Sequence, residues 1–198
     1  MAVNQLDSEK ANWDNTLDTL KEAFGSKPVV FQYPVNAGVG FDSIIDILSM
    51  KMYRCKDENG GVEVLDIPAD QQDTVEEMRA NLMEMAAEAD EALMEKFFEN
   101  MELSDEDMNA GIQKGFINGE LYPVFCLSAK KCFGVKRLME FITLVAPSPA
   151  HDVDKSKDGA DIKCDASAPT SIFVYKTAVE QHVGEVSYFK VMTGKITE

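Results

Sequence analysis

LYPVFCLSAKKCFGVKRLMEFITLV, residues 121–145, is typical of a strand followed by a short polar turn and a helix. Residues 124–127 form a continuous apolar run, as a strand buried on both faces requires. The turn spans residues 128–134, and apolar side chains then recur at helical spacing until Pro147. Because ligands bind at the carboxyl ends of strands in open α/β sheets, residues 128–130 are a candidate ligand loop.

A second strand end lies near the beginning of the chain, where Ala2-Val3-Asn4-Gln5-Leu6-Asp7 precedes a helical pattern. Asn4 and Asp7, followed much later by Ser128 and Ala129, match the guanine-reading pattern of GTPases, Asn-Lys-x-Asp and then Ser-Ala-x. On these motifs, and on flanking matches that continue to the last residues, the chain resembles elongation factor G, the ribosomal translocase, or a close paralogue. The resemblance begins in the middle of that family's GTPase domain.

The resemblance implies a role for each of five residues in binding the guanine base. Asp7 would accept two hydrogen bonds from the N1–H and the exocyclic amine of guanine, which adenine cannot offer. Asn4 would brace the loop and the base. The backbone N–H of Ala129 would meet the guanine carbonyl oxygen, and Ser128 would fix the turn. Lys130 would lie beside the base.

The phosphate-binding half of a GTPase site is not found in this sequence. No GxxxxGK(S/T) loop occurs, and no Asp-x-x-Gly follows a strand in a magnesium-binding context. Phosphoryl transfer needs that loop, a magnesium ligand and a group that positions water. Gln5 also replaces the lysine usual in the family, which should weaken nucleotide binding by about 1 kcal/mol. We therefore expect an internal fragment without catalytic or metal-binding residues that neither hydrolyses GTP nor binds GTP or GDP tightly, whereas its full-length parent would use Mg²⁺.

The fold implied by the resemblance is α/β. It comprises the C-terminal part of a P-loop-type GTPase domain with an α+β insert, followed by the first strands of a β-barrel domain. The expected division is GTPase domain at 1–35 and 116–148, acidic insert at 36–115, linker at 149–169 and barrel strands at 170–198.

Local patterns predict the individual elements of this fold. They are a helix over 9–24 capped by Asp7 or Ser8, a strand over 28–34, paired strands at 41–48 and 50–55, a third strand at 62–67, one bent helix or two helices broken at Asp90 over 68–101, a helix from a Ser104 cap to residue 116, and a hairpin of strands 171–178 and 183–192.

The net charge of −16 is concentrated in one segment. Residues 57–107 contain 18 acidic and 2 basic residues, and the remaining residues balance to zero. Such a segment would be repelled by phosphate backbones. If the protein works on a ribosome, this segment should face away from RNA, towards solvent or a protein.

Two functions from different classes fit these patterns. The resemblance implies part of a cytoplasmic elongation factor that binds the ribosome, through rRNA and the stalk protein, and uses GTP to move tRNA and mRNA in protein biosynthesis. The alternative is a non-catalytic module whose acidic insert contacts the ribosomal stalk or another protein. We expect a monomer. We also expect no membrane partner, because no apolar run approaches the roughly 20 residues of a membrane helix. The four cysteines form no CxxC pair and are expected to be free thiols.

Overall fold

The computed structural model describes residues 1–57, 60–151 and 153–197. Residues 58 and 59 of the predicted insert, residue 152 of the predicted linker and residue 198 of the predicted barrel segment lie outside it. The described residues form five helices and several small sheets, which confirms the mixed α/β class. The chain divides into two units, Met1–Ala146 and Pro147–Glu198.

The first unit contains a three-stranded and a four-stranded sheet. Its elements are β1 Ala2–Val3, α1 Trp13–Phe24, β2 Pro28–Val30, β3 Gln32–Pro34, β4 Ser43–Asp46, β5 Lys51–Cys55, β6 Val62–Leu65, α2 Gln72–Glu88, α3 Glu91–Asn100, α4 Asp105–Ile117, β7 Tyr122–Cys126 and α5 Val135–Val145. The parallel sheet has the order β1-β7-β2, and the antiparallel sheet has the order β3-β4-β5-β6. The three strands predicted between residues 41 and 67 are thus confirmed as β4, β5 and β6, with shorter bounds.

Strand β7 lies in the centre of the parallel sheet, and its side chains are buried on both faces. Val124, Phe125 and Cys126 are all buried, as the apolar run predicts. Val3 pairs with Cys126 on one side, and Val30 pairs with Val124 on the other. The carboxyl ends of β1 and β7 therefore lie side by side.

The single strand predicted over residues 28–34 is wrong, because the chain changes sheets at Phe31. The backbone N–H of Phe31 donates to Val124 in the parallel sheet, at 3.0 Å. The carbonyl oxygen of Phe31 accepts from the N–H of Ile47, which directly follows β4, at 2.9 Å. One residue thus closes the parallel sheet and opens the antiparallel one, so β2 and β3 are separate strands.

The first helix begins at Trp13 rather than at residue 9, and neither Asp7 nor Ser8 caps it. Asn12 is the cap, since its Oδ1 accepts from the N–H of Asn15 at 2.9 Å. The preceding residues form turns closed by backbone bonds from Ser8 to Gln5 and from Ala11 to Ser8, both 3.0 Å. Asp7 consequently stays in a loop at the end of β1.

Helices α3 and α4 begin after the predicted break at Asp90 and the predicted cap Ser104, whereas α2 begins at Gln72 without a side-chain cap. Asp90 separates α2 from α3, and its Oδ1 accepts from the N–H of Ala92 at 2.9 Å. Ser104 caps α4, because its Oγ accepts from the N–H of Asp107 at 3.1 Å. Among the described ranges no helix is long and apolar enough to cross a membrane.

The second unit consists of two antiparallel pairs, β8 Asp154–Lys155 with β9 Asp161–Ile162, and β10 Ser171–Glu180 with β11 Gly184–Thr193. The segment predicted as a linker thus contains a short hairpin. The hairpin predicted from strands 171–178 and 183–192 is confirmed, and its turn lies between Glu180 and Gly184. Apolar side chains on it are exposed, including Phe173 at 57% and Val179 at 84%. That it opens a β-barrel domain stays a prediction.

Replacing Gly111 with alanine should destabilise the first unit, although alanine is the better helix former by about 1 kcal/mol. A Cβ on Gly111 would lie 2.2 Å from the carbonyl oxygen of Ala86, so α4 would have to move away from α2. Overpacking of this kind costs about 1–3 kcal/mol. Urea denaturation followed by circular dichroism should therefore give a lower free energy of unfolding.

Gly115→Ala is the matched control for this variant. Its Cβ would lie 3.2 Å from the Cβ of Leu121, which is a tight contact but a much smaller overlap than the one at Gly111. A Gly111→Ala protein more stable than the wild type would contradict the close approach of α2 and α4.

Candidate functional site

The two predicted guanine-reading motifs meet at the carboxyl ends of β1 and β7. The N–H of Ala129 donates to Oδ1 of Asn4 at 2.9 Å, although the two residues are 125 positions apart. A longer backbone bond, 3.4 Å, runs from the N–H of Leu6 to the carbonyl oxygen of Leu127. The loop of residues 4–7 and the turn of residues 128–133 thus form one surface, where an α/β sheet binds ligands.

The contact with Asn4 changes what is expected of Ala129. The resemblance assigns the Ala129 N–H to the guanine carbonyl oxygen, but here that N–H already donates to the Asn4 side chain. Asn4 therefore braces the turn. The Nδ2 group of Asn4 has no partner among the described residues, so it is available to donate to a ligand.

Ser128 holds the turn together from its buried side. Ser128 and Phe133 exchange both backbone hydrogen bonds, each 3.0 Å long. The Oγ of Ser128 accepts from the N–H of Lys131 at 3.3 Å, and the N–H of Cys132 donates to the carbonyl oxygen of Ala129 at 3.2 Å. These bonds leave the side chains of Ala129 and Lys130 exposed at the tip of the turn.

Asp7 and Lys130 lie at this surface without partners in the described part of the chain. Asp7 is half-buried, and no described residue donates a hydrogen bond to its carboxylate. Lys130 is exposed and forms no ion pair with a described residue. The side chains of Asp7 and Lys130 form no hydrogen bond with the other predicted site residues, which are Asn4, Ser128 and Ala129. Gln5, at the position where the family has lysine, is exposed with φ +64 in the left-handed region.

Gly134 allows the turn to lie against β7. Its φ is +81, and a Cβ at this position would lie 2.3 Å from the carbonyl oxygen of Cys126. It occupies the N-cap position of α5, which has no side-chain cap. Glycine is therefore needed here for both the backbone conformation and the close approach.

Two further residues belong to this site and were missed from the sequence. The N–H of Gly38 donates to the carbonyl oxygen of Leu6 at 2.8 Å. The Nζ of Lys131 donates to the carbonyl oxygen of Phe41 at 3.0 Å. The turn-forming residues between 36 and 40 were visible in the sequence, but nothing local indicated that they contact both loops.

An ion pair ties the helix that follows the turn to the antiparallel sheet. Arg137 Nη2 lies 2.9 Å from Oδ2 of Asp46, which is 5% exposed. The guanidinium carbon also lies 4.8 Å from the centre of the Tyr53 ring. Burial by itself would lower the pKa of Arg137, but the Asp46 carboxylate outweighs it and the pKa is raised. Arg137 therefore stays charged and holds α5 against β4.

The described ranges contain no cluster of side chains that could bind a metal ion. No group of three or more histidine, cysteine, aspartate or glutamate side chains is placed there to hold a metal ion. Cys126 is buried, and its Sγ donates to the carbonyl oxygen of Gln32 at 3.0 Å. Burial raises the pKa of the Cys126 thiol well above its ordinary value.

Comparison with known proteins shows similarity in fold. No family model matches the chain. A crystal structure of a protein from Thermus thermophilus matches 98% of this chain, with 26% sequence identity and a TM-score of 0.77. The match covers 27% of the Thermus chain. This chain is therefore similar, over nearly its whole length, to one part of a much longer protein.

Replacing Gly134 with alanine should destabilise the first unit by about 2–5 kcal/mol. A left-handed non-glycine residue costs about 1–2 kcal/mol, and the clash with Cys126 adds about 1–3 kcal/mol. Gly119→Ala is the matched control, since φ there is +69 and no atom lies within 4 Å of the added Cβ. Urea denaturation should show the larger loss for Gly134→Ala. Equal losses for the two variants would contradict the close approach of the turn to β7.

Proposed function

We propose that this chain forms the guanine-reading part of a translational GTPase of the elongation factor G type. The observation that carries the proposal is the hydrogen bond between Asn4 and Ala129. It joins two motifs from distant parts of the sequence at the carboxyl ends of neighbouring parallel strands, where such sheets bind nucleotides. Chance matches to Asn-x-x-Asp and Ser-Ala would not be expected to meet in this way.

Guanine recognition would depend on the carboxylate of Asp7. Because no described residue donates to that carboxylate, both of its oxygens can accept from a ligand. Guanine presents two neighbouring N–H donors, N1–H and the exocyclic amine, and adenine presents no such pair. Asn4 would add its Nδ2 donor, and the stem of Lys130 would cover one side of the base.

The arrangement of the sheet supports a larger GTPase domain. β1 pairs only with β7 among the described strands, so its other edge can accept further parallel strands. The long Thermus chain, of which this fold covers 27%, is in keeping with such an extension. In that parent the phosphate loop and Mg²⁺ would complete the site, and GTP hydrolysis would drive movement of tRNA and mRNA on the cytoplasmic ribosome. Residues 170–198 would open its β-barrel domain.

Guanosine at millimolar concentration should shift the backbone amide signals of Asp7 and Ala129 in the ¹⁵N NMR spectrum of the full chain. Adenosine should leave them in place, because it lacks the paired donors. Asp7→Ala should weaken guanosine binding about tenfold or more, since hydrogen bonds to charged groups contribute about 1.5–3 kcal/mol. Asp18→Ala, an exposed carboxylate on α1, is the matched control. Equal shifts with adenosine would contradict the proposal.

A fluorescent GDP analogue should give no saturable signal with this chain at micromolar protein concentration. The sequence holds no phosphate loop, and phosphate contacts supply much of a nucleotide's affinity. The titration is read by fluorescence anisotropy, with a GTPase that contains the loop as the positive control. Clear saturation would mean that these residues bind phosphate in some other way.

A second candidate function is protein binding by the acidic insert. At the end of α3, Phe98 is 71% exposed and Met101 is 69% exposed, within the segment that carries the net charge of −16. Aromatic and methionine side chains are enriched in protein interfaces. The partner would combine an apolar pocket with basic residues, and the ribosomal stalk protein is the candidate implied by the resemblance.

Isolated stalk protein should be retained by this chain in a pull-down at low salt and lost at high salt. Phe98→Ser should reduce retention several-fold, because exposed aromatic residues are frequent binding hot spots. Met139→Ser, which removes an apolar side chain that is 56% exposed on α5, is the matched control. Equal retention of the two variants would argue against a site at the end of α3.

A further inference from the structure

The two candidate guanine-reading loops share one anchor, the segment of residues 38–41. At one end, the Gly38 N–H donates to Leu6 at 2.8 Å. At the other end, the carbonyl oxygen of Phe41 accepts from Lys131 Nζ at 3.0 Å. The segment is itself closed by a 3.0 Å bond from the Phe41 N–H to the Gly38 carbonyl oxygen. The two loops are thus held to one short turn as well as to each other.

The anchor is buried where it contacts the loops. Phe41 is fully buried, and its ring lies 5.4 Å from the ring of Phe133, the last residue of the turn. Leu6 is 2% exposed. Hydrogen bonds next to such a core are shielded from water, which strengthens them.

Lys131 has no described partner that competes with this carbonyl oxygen. Its side chain is half-buried, and no described carboxylate forms an ion pair with it. A bond from an ammonium group to a carbonyl oxygen is charge-assisted and therefore stronger than a neutral one. The neighbouring Lys130, by contrast, is exposed and contacts no described residue through its ammonium group.

We propose that Lys131 is a positioning residue for guanine recognition. Its bond to Phe41 holds the turn of residues 128–133 in the place where the Ala129 N–H reaches Asn4. Without it, Ala129 and Lys130 would lose their alignment with Asp7, the residue that would accept from guanine. The effect on guanine rests on the proposed function, whereas the effect on the turn does not.

The first test measures how fast the Ala129 amide exchanges with solvent in the full chain, by ¹⁵N NMR. Lys131→Met removes the ammonium donor and keeps a stem of similar length, and it should speed exchange about fivefold, as expected from loss of one typical hydrogen bond. Lys131→Arg retains a donor and should restore most of the protection. Lys136→Met, an exposed lysine on α5, makes the same charge change and should stay within about twofold of the wild type.

The amides of β5 show whether any change is local. If Lys131→Met speeds exchange in β5 as much as at Ala129, the lysine stabilises the whole unit and the proposal is overturned. Unchanged exchange at Ala129 also overturns it. Faster exchange confined to residues 128–133 supports it.

The second test measures guanosine binding by the same variants. Lys131→Met should weaken the guanosine-dependent shift of Asp7 about fivefold, and Lys131→Arg should recover it. If the wild type shows no shift specific for guanosine, the proposed function fails, and the exchange rates still decide whether Lys131 positions the turn. If the wild type binds guanosine and Lys131→Met binds it equally well, the positioning role is wrong and the proposed function stands.

Discussion

Phe31 joins the two sheets of the first unit, and the geometry of the candidate site depends on this junction. Its N–H bonds to the parallel sheet and its carbonyl oxygen bonds to the residue after β4. Its ring packs against Phe125 and Phe141, with centroids 5.7 and 5.1 Å away. Since side chains alternate along a strand, a slip of one residue here would turn β3 over. It would also displace β4, whose last residue, Asp46, bonds to α5. Phe41, two residues before β4, bonds to Lys131 of the turn.

Close backbone approaches make this arrangement tight enough to align two loops. Gly134 lets the turn pass next to the carbonyl oxygen of Cys126, and Gly111 lets α4 lie against Ala86 of α2. At the turn, the Ala129 N–H bonds to Oδ1 of Asn4 and the other backbone groups bond to one another. No described residue forms a hydrogen bond or an ion pair with the side chains of Asp7 and Lys130. Backbone groups, the Asn4 side chain and the Lys131 ammonium hold the two loops in place, and Asp7 and Lys130 would select what binds there.

The sequence was enough to predict helix ends that are capped by a side chain close by in the sequence. The break at Asp90 and the cap at Ser104 follow from side chains that bond to backbone N–H groups two or three positions away. The start of α1 was misjudged because three residues, Asp7, Ser8 and Asn12, can each cap a helix. Backbone turns between residues 5 and 11 decide in favour of Asn12. The division of residues 28–34 was missed, since a short and mostly apolar run between two prolines does not reveal a change of sheet.

By itself, the sequence determined that two strands end in polar loops carrying Asn4, Asp7, Ser128, Ala129 and Lys130. Only the tertiary structure decided that Ala129 bonds to Asn4 and that Lys131 bonds to Phe41, across 125 and 90 positions of sequence. The physical reason is that strand order and register arise from the packing of the whole unit. Local propensity specifies where a strand ends, but not which other strand end lies beside it.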